Sequence, residues 1–218
     1  EQFSGEEAYS YFSSLLPAAA IIATRGCPFQ CSFCASPTIT GRKLRKRSVD
    51  HVISEMKFLQ EQHGVRCFYF LDDNLALDKH NFTNLCETML AERLNVRWNC
   101  PYGIRLGSLD EKILPLMERA GCLSINVGIE SGSDRILRHM NKNLSVKEIR
   151  EKCRLIKKLT NINIEGNFIV GYPEETEEDI LATFRLACEL PISTATFNAF
   201  NLIPGTPIFN ELREEKWI

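Results

Sequence analysis

The chain has 218 residues, a formal net charge of −2, 44% hydrophobic residues and 25% charged residues. Those figures suit one globular domain with short extensions, and exclude a disordered tail, a collagen-like fibre and a coiled coil. The slight negative balance gives no global positive field to draw nucleic acid or an acidic membrane.

Residues 1–17 read as an N-terminal extension or linker, and residues 18–218 as one core domain. Residues 18–24 are short and apolar and end at Arg25-Gly26, as a buried strand does. Val49, Val52, Ile53, Met56 and Leu59 recur at helical spacing behind Ser48, a good N-cap. An aromatic strand follows at 67–71, then a helix from Asp78 with Phe82, Leu85, Met89 and Leu90 on one face. A third strand is expected at 96–100. Ser108-Leu109-Asp110-Glu111 has the form of a capping box, opening a helix that Gly121 stops. Residues 123–129 are apolar enough for a strand buried on both faces. A second capping box at Ser145–Glu148 opens the next helix, and 162–170 form strand five. A helix from Thr176, a strand at 194–203 and a helix from Pro207 complete the series.

Six strand–helix units in a row predict an α/β fold with parallel strands and outer helices: a partial TIM-like (βα)6 barrel, or a doubly wound sheet. In both, ligands sit at the C-terminal ends of the strands. The unusual residues fall there: Cys27–Cys34, Asp72-Asp73-Asn74, Glu130-Ser131-Gly132, Gly171–Glu174 and Pro204–Pro207.

No apolar run reaches the roughly 18 residues of a membrane span. The first five residues carry no basic segment, so no signal peptide is expected, and the missing initiator Met points to flanking domains. Nine cysteines are an odd number in a chain too large to need disulfide staples, which suits a reducing, cytoplasmic setting. Cys67, Cys86, Cys100, Cys122, Cys153 and Cys188 stand singly in apolar contexts and are expected to be buried small hydrophobes.

The other three form Cys27-x3-Cys31-x2-Cys34. Three thiolates within eight residues can surround one compact soft-ligand site, and thiolates select iron–sulfur clusters, zinc or Cu(I). A structural zinc needs four closed ligands, and the nearest further His or Cys downstream are His51 and Cys67. Three ligands on a four-iron cluster leave one iron open, which is what a catalytic cluster requires. A non-catalytic module, with one distant residue completing a zinc or iron–sulfur site, is the bland alternative.

With Phe33 just before the last Cys, and its place after the first strand of a βα series, this motif resembles the radical S-adenosylmethionine superfamily. Arg25–Phe29, Phe70–Asn74, Gly128–Gly132, Gly171–Thr176 and Ile203–Pro207 look most like the radical domain of cobalamin-dependent members. The resemblance implies that Cys27, Cys31 and Cys34 hold a [4Fe–4S] cluster. Its fourth iron would bind the amino and carboxylate groups of S-adenosylmethionine. Reductive cleavage would then give methionine and a 5′-deoxyadenosyl radical that takes hydrogen from a substrate.

Other positions carry over as implied contacts to S-adenosylmethionine. Leu71-Asp72-Asp73 takes the place of the family's Gly-Gly-Glu, so Asp73 matches the acid that binds the methionyl amino group, with the contact itself left open between Asp72 and Asp73; Asn74 beside them is a further implied contact. Glu130 matches a ribose contact and Lys142 a cation for the methionyl carboxylate. Asn167 and Gly171 belong to the fifth-strand motif, and Phe33 and the backbone near Ile203 would flank the adenine. Each has a plain alternative: a polar turn, a helix-entry acid, a surface lysine, a turn glycine.

A small-molecule substrate and a reducing donor such as flavodoxin or ferredoxin are implied, with nucleic acid disfavoured. Cobalamin would need a domain outside this chain, because Asp78-Lys79-His80 lacks the glycine of the cobalamin-ligating motif and opens a barrel helix. The rival enzyme reading is a tRNA methylthiotransferase-like fragment, on the strength of Arg25–Pro28 and the basic run Arg42–Arg47. That run is also what a solvated connection looks like. Arg105 either faces the site or caps a turn.

Overall fold

A computed structural model describes residues 16–217. Six parallel strands carry the fold: β1 (Ala18–Ile21), β4 (Cys67–Phe70), β5 (Arg97–Cys100), β6 (Cys122–Glu130), β7 (Asn163–Val170) and β8 (Thr194–Ala199). They lie side by side in chain order, every pair parallel, and helices make the crossovers. A two-stranded ribbon, β2 (Thr24–Arg25) with β3 (Arg45–Lys46), stands beside the sheet. The expected (βα)6 architecture is therefore present, as an open sheet rather than a closed barrel. The expected extension, 1–17, falls outside the described residues except for Leu16 and Pro17.

The helices are α1 (Ser36–Ile39), α2 (Val49–His63), α3 (Lys79–Ala91), α4 (Ile113–Arg119), α5 (Asp134–His139), α6 (Val146–Leu159), α7 (Glu177–Glu189) and α8 (Pro207–Glu214). Their starts follow local side-chain chemistry. Ser48 accepts from the His51 amide at the head of α2, and Asp78 from the Asn81 amide at the head of α3. Capping boxes close α6 (Ser145 with Glu148) and α7 (Thr176 with Asp179). The expected box at Ser108 does not form. Leu106–Ser108 is one turn of 3-10 helix, and Asp110 caps α4 by accepting from the Lys112 and Ile113 amides, both at 3.0 Å.

The core lies between the sheet and its helices. Trp98 of β5 is its largest member, 1% exposed, and its indole N–H donates to the Ala120 carbonyl at 3.0 Å. Phe70 and Phe82 meet it edge to face at 5.5 and 6.3 Å. Such pairs add about 0.5–1.5 kcal/mol each beyond area burial. Five of the six single cysteines are buried as expected. Cys188 is exposed, on the outer side of α7.

Strand β6 departs from the expected two-sided burial. Ile125, Val127 and Ile129 are buried, while the alternate Ser124, Asn126 and Gly128 are half-buried. Strand β7 repeats this, with Ile164, Gly166 and Phe168 buried and Glu165, Asn167 and Ile169 half-buried. The sheet's second face is thus a polar lumen instead of a packed layer, which decides where a ligand can go. Strand β8 is exposed throughout and shorter than expected, ending at Ala199.

Candidate active site at the strand C-termini

The sheet curls far enough for the cysteine loop, which follows β1 and β2, and the last strand, β8, to share one cavity of 390 Å³ at the C-terminal strand ends. Cys27, Cys31, Cys34 and Phe33 line it from the loop after β2. Asp73, Asn74, Glu130, Lys142 and Asn167 line the middle, and Ile203 the far side. Ten of the twelve residues expected at the site therefore meet.

Asp72 and Gly171 do not. The Asp72 carboxylate is fully buried and accepts from the Ala23 amide at 3.2 Å, the Thr24 hydroxyl at 2.7 Å and the Thr24 amide. It ties the end of β4 to the ribbon, and its full burial keeps it out of the cavity. Burial pushes its pKa up, against the lowering effect of the Thr24 bonds. Of the two aspartates, Asp73 is the one that reaches the cavity, its carboxylate also accepting from the Gly26 amide at 3.0 Å. Gly171 (φ 78°) serves the following turn, its amide held by Glu175 at 2.6 Å.

The cysteine loop is fixed from several sides. Gly26 (φ 99°) has the Lys43 carbonyl where a Cβ would stand, so only glycine permits this approach. The Cys27 amide donates to the Gly41 carbonyl at 3.1 Å, and the Ser32 amide to the Met140 carbonyl at 3.0 Å. Ser32 also shares a 2.7 Å hydroxyl bond with Tyr172. Burial raises the Cys27 pKa; the neighbouring Cys34, Cys31 and Asp73 add to this, and a hydrogen bond from the Phe29 amide opposes it. Ionising these thiols beside the Asp73 carboxylate costs energy unless a cationic group joins them.

Opposite stands a buried ion pair. Lys142 Nζ lies 2.6 Å from Glu130 Oε1, with side chains 11% and 9% exposed. A register shift at the end of β6 and a left-handed Glu130 (φ 67°) turn this carboxylate into the cavity. Lys142 is presented by Asn141 and Asn143, both left-handed (φ 50°), a conformation asparagine tolerates. The ammonium stands 6.0 Å from the Phe33 ring centre. Gly128 lies beneath, and a Cβ there would collide with the Glu130 carboxylate and stand 2.7 Å from Lys142 Nζ.

Arg105, whose role the sequence left open, faces the site. Its guanidinium covers the Phe29 ring at 3.9 Å and donates to the Lys142 and Asn143 carbonyls. It joins the cysteine loop to the Lys142 turn. Asn126 and Asn198 were missed. They line the lumen, and Asn126 Oδ1 accepts from Asn167 Nδ2 at 2.5 Å. Their period-two spacing from Glu130 and Phe200 was the available signal.

Three observations show that this cavity suits a four-iron cluster and S-adenosylmethionine. The donor set is three thiols facing one space. Asn74 is 4% exposed, lines the cavity and has an Nδ2 with no hydrogen-bond partner, so a donor awaits an acceptor. Gly128 leaves the cradle above the ion pair open. Among the described residues, no three His, Cys, Asp or Glu side chains converge as they would around a single metal ion.

Comparison with known proteins agrees. The family model described as the Radical SAM superfamily matches residues 21–187. An uncharacterized methyltransferase of Pyrococcus horikoshii is 32% identical over 199 residues, covering 91% of this chain and 43% of that protein. The bacteriochlorophyllide d C-12(1)-methyltransferase of Chlorobaculum tepidum is 34% identical over 205 residues, 93% of this chain and 44% of that one. The radical S-adenosylmethionine methyltransferase TsrM of Kitasatospora setae, solved with cobalamin and a [4Fe–4S] cluster, shares the fold at a TM-score of 0.82 and 22% identity, over 91% of this chain and 39% of that one. The chain thus spans less than half the length of these relatives. By the family model and the match to its relatives, this chain belongs to the radical S-adenosylmethionine superfamily of enzymes.

Proposed function

We propose that Cys27, Cys31 and Cys34 hold the [4Fe–4S] cluster and that S-adenosylmethionine fills the cavity between them and the Glu130–Lys142 pair. The observation that carries this is the placing of three thiols, a buried ion pair and an unpartnered Asn74 amide around one space. When bound, the cluster supplies the electron that splits S-adenosylmethionine into methionine and a 5′-deoxyadenosyl radical able to take hydrogen from a substrate.

The chain's own part is binding and orientation. Asp73 accepts from the methionyl ammonium and Lys142 donates to the carboxylate, both charge-assisted. Glu130 accepts from ribose hydroxyls. Phe33 and the backbone at Ile203 enclose the adenine. The asparagines of the lumen offer neutral donors and acceptors to a small-molecule substrate deeper in the sheet. Methyl transfer is the reaction class supported by the kinds of relatives found, with cobalamin as a second cofactor by analogy with TsrM. The free cysteines favour a reducing compartment such as the cytoplasm. Among the described residues no helix is long and apolar enough to cross a membrane.

Anaerobic reconstitution followed by electron paramagnetic resonance tests the reading. Dithionite-reduced protein is expected to show a cluster signal that changes on adding S-adenosylmethionine, with 5′-deoxyadenosine formed. Both should vanish in Cys31→Ala. A cluster signal indifferent to S-adenosylmethionine, or bound zinc in place of iron and sulfide, would overturn it. Tight tRNA binding that is lost on neutralising Arg45 and Arg47 would move the substrate to RNA.

A further inference from the structure

The ribbon β2–β3 pairs Arg25 directly with Arg45. Like charges directly opposite each other in a ribbon are destabilising, so a sequence that keeps them there has another use for them. Arg42 and Lys43 extend the group, and all four residues are exposed. Neighbouring bases are already neutralised, Lys46 by Asp78 at 2.5 Å and Arg47 by Glu55 at 2.6 Å. Among the described residues no carboxylate pairs with Arg25, Arg42, Lys43 or Arg45. Arg42 and Arg45 rest instead on the Phe29 and Thr40 carbonyls at 3.3 and 2.6 Å. A concentrated positive surface thus stands on a chain whose net charge is −2.

Its position matters more than its sign. This basic segment is built onto the back of the cysteine loop. The Lys43 carbonyl packs on Gly26, Gly41 accepts from the Cys27 amide, and Arg42 reaches the carbonyl of Phe29, between the first two cysteines. The front of the same loop faces the cavity. None of Arg25, Arg42, Lys43 and Arg45 lines the cavity, so a partner docked on them stays outside the space a ligand there fills.

We propose that the surface formed by Arg25, Arg42, Lys43 and Arg45 docks a small acidic one-electron carrier protein, which reduces the cluster from behind. This rests on the cluster assignment above. In the step one electron leaves the carrier and enters the cluster, and no bond forms or breaks. The segment 42–47 carries no aromatic ring on which a base could stack, and this favours a protein partner over RNA.

Two measurements test it, with the triple variant Arg25→Gln/Lys43→Gln/Arg45→Gln and its charge-keeping counterpart Arg25→Lys/Arg45→Lys. First, oxidised flavodoxin is titrated into the metal-free chain at low and moderate salt. Binding to the wild type and to the lysine variant should weaken with salt, and the glutamine variant should bind at least about tenfold more weakly at low salt. Second, reduction of the reconstituted cluster is followed in stopped flow. With flavodoxin hydroquinone the glutamine variant should be slower by about tenfold or more, while dithionite reduces both proteins alike. Equal flavodoxin binding and equal rates in all three proteins would overturn the docking site. So would a tRNA affinity that falls in the glutamine variant while its flavodoxin binding does not. A wild-type chain that assembles no cluster would instead overturn the cluster assignment, and the metal-free titration would still report on the surface.

Discussion

Removing Lys142 is the sharpest test of the pocket's electrostatics. The pair is buried on both sides, at 11% and 9% side-chain exposure, and its Nζ–Oε1 separation is 2.6 Å. Deleting one partner of a buried pair strands the other charge and costs about 3–5 kcal/mol. Partial water access from the cavity places Lys142→Met at the low end, near 3 kcal/mol. For a chain of this size each kcal/mol lowers Tm by about 2–4 °C, giving a fall of roughly 6–12 °C. Lys142→Met/Glu130→Gln should regain most of it, because no uncompensated charge remains. Thermal unfolding of the metal-free single and double variants by circular dichroism reads this directly. Affinity for S-adenosylmethionine should fall about 10- to 100-fold in both variants, since a charge-assisted bond is worth about 1.5–3 kcal/mol. A single variant that melts within 2 °C of wild type, or a double variant no better than the single, would refute the argument that burial makes this pair costly to break.

Gly128→Ala places a methyl group against Glu130 and Lys142; calorimetry should show S-adenosylmethionine binding weakened by about tenfold, at an overpacking cost of about 1–3 kcal/mol, with the far-ultraviolet spectrum unchanged. Arg105→Ala removes the link between Phe29 and the Lys142 turn; iron and sulfide analysis should find less cluster retained after gel filtration than in wild type. Asp179 carries a pKa held well below the usual carboxylate range: burial would raise it, but hydrogen bonds from Ser133, Thr176 and Arg135 outweigh that. Its stabilising effect is therefore complete above the unfolded pKa near 4 and is lost as pH falls below it. Asp179→Asn should cost about 1.5–3 kcal/mol at pH 7, and in urea titrations the gap between variant and wild type should narrow steadily as pH falls below 4.

The sequence by itself determined the six strand–helix units, the helix starts at Ser48, Asp78, Ser145 and Thr176, and the cysteine loop. These are local properties, since a cap or a three-thiol spacing is complete within a few residues. The Ser108 box failed for the same reason in reverse: Asp110, two residues on, takes the helix start, and composition does not rank two adjacent caps. What only the tertiary structure decided was which of Asp72 and Asp73 faces the site. They are adjacent and chemically alike, in the turn just past β4, and burial against Thr24 claimed the first and left the second at the cavity. Strand alternation made the inner face of β6 polar although the stretch reads as apolar. The pairing of Glu130 with Lys142, Arg105 over Phe29 and Arg25 beside Arg45 also came from folding. Each joins residues separated in the chain, and only the curl of the sheet and the register of the ribbon bring them into contact.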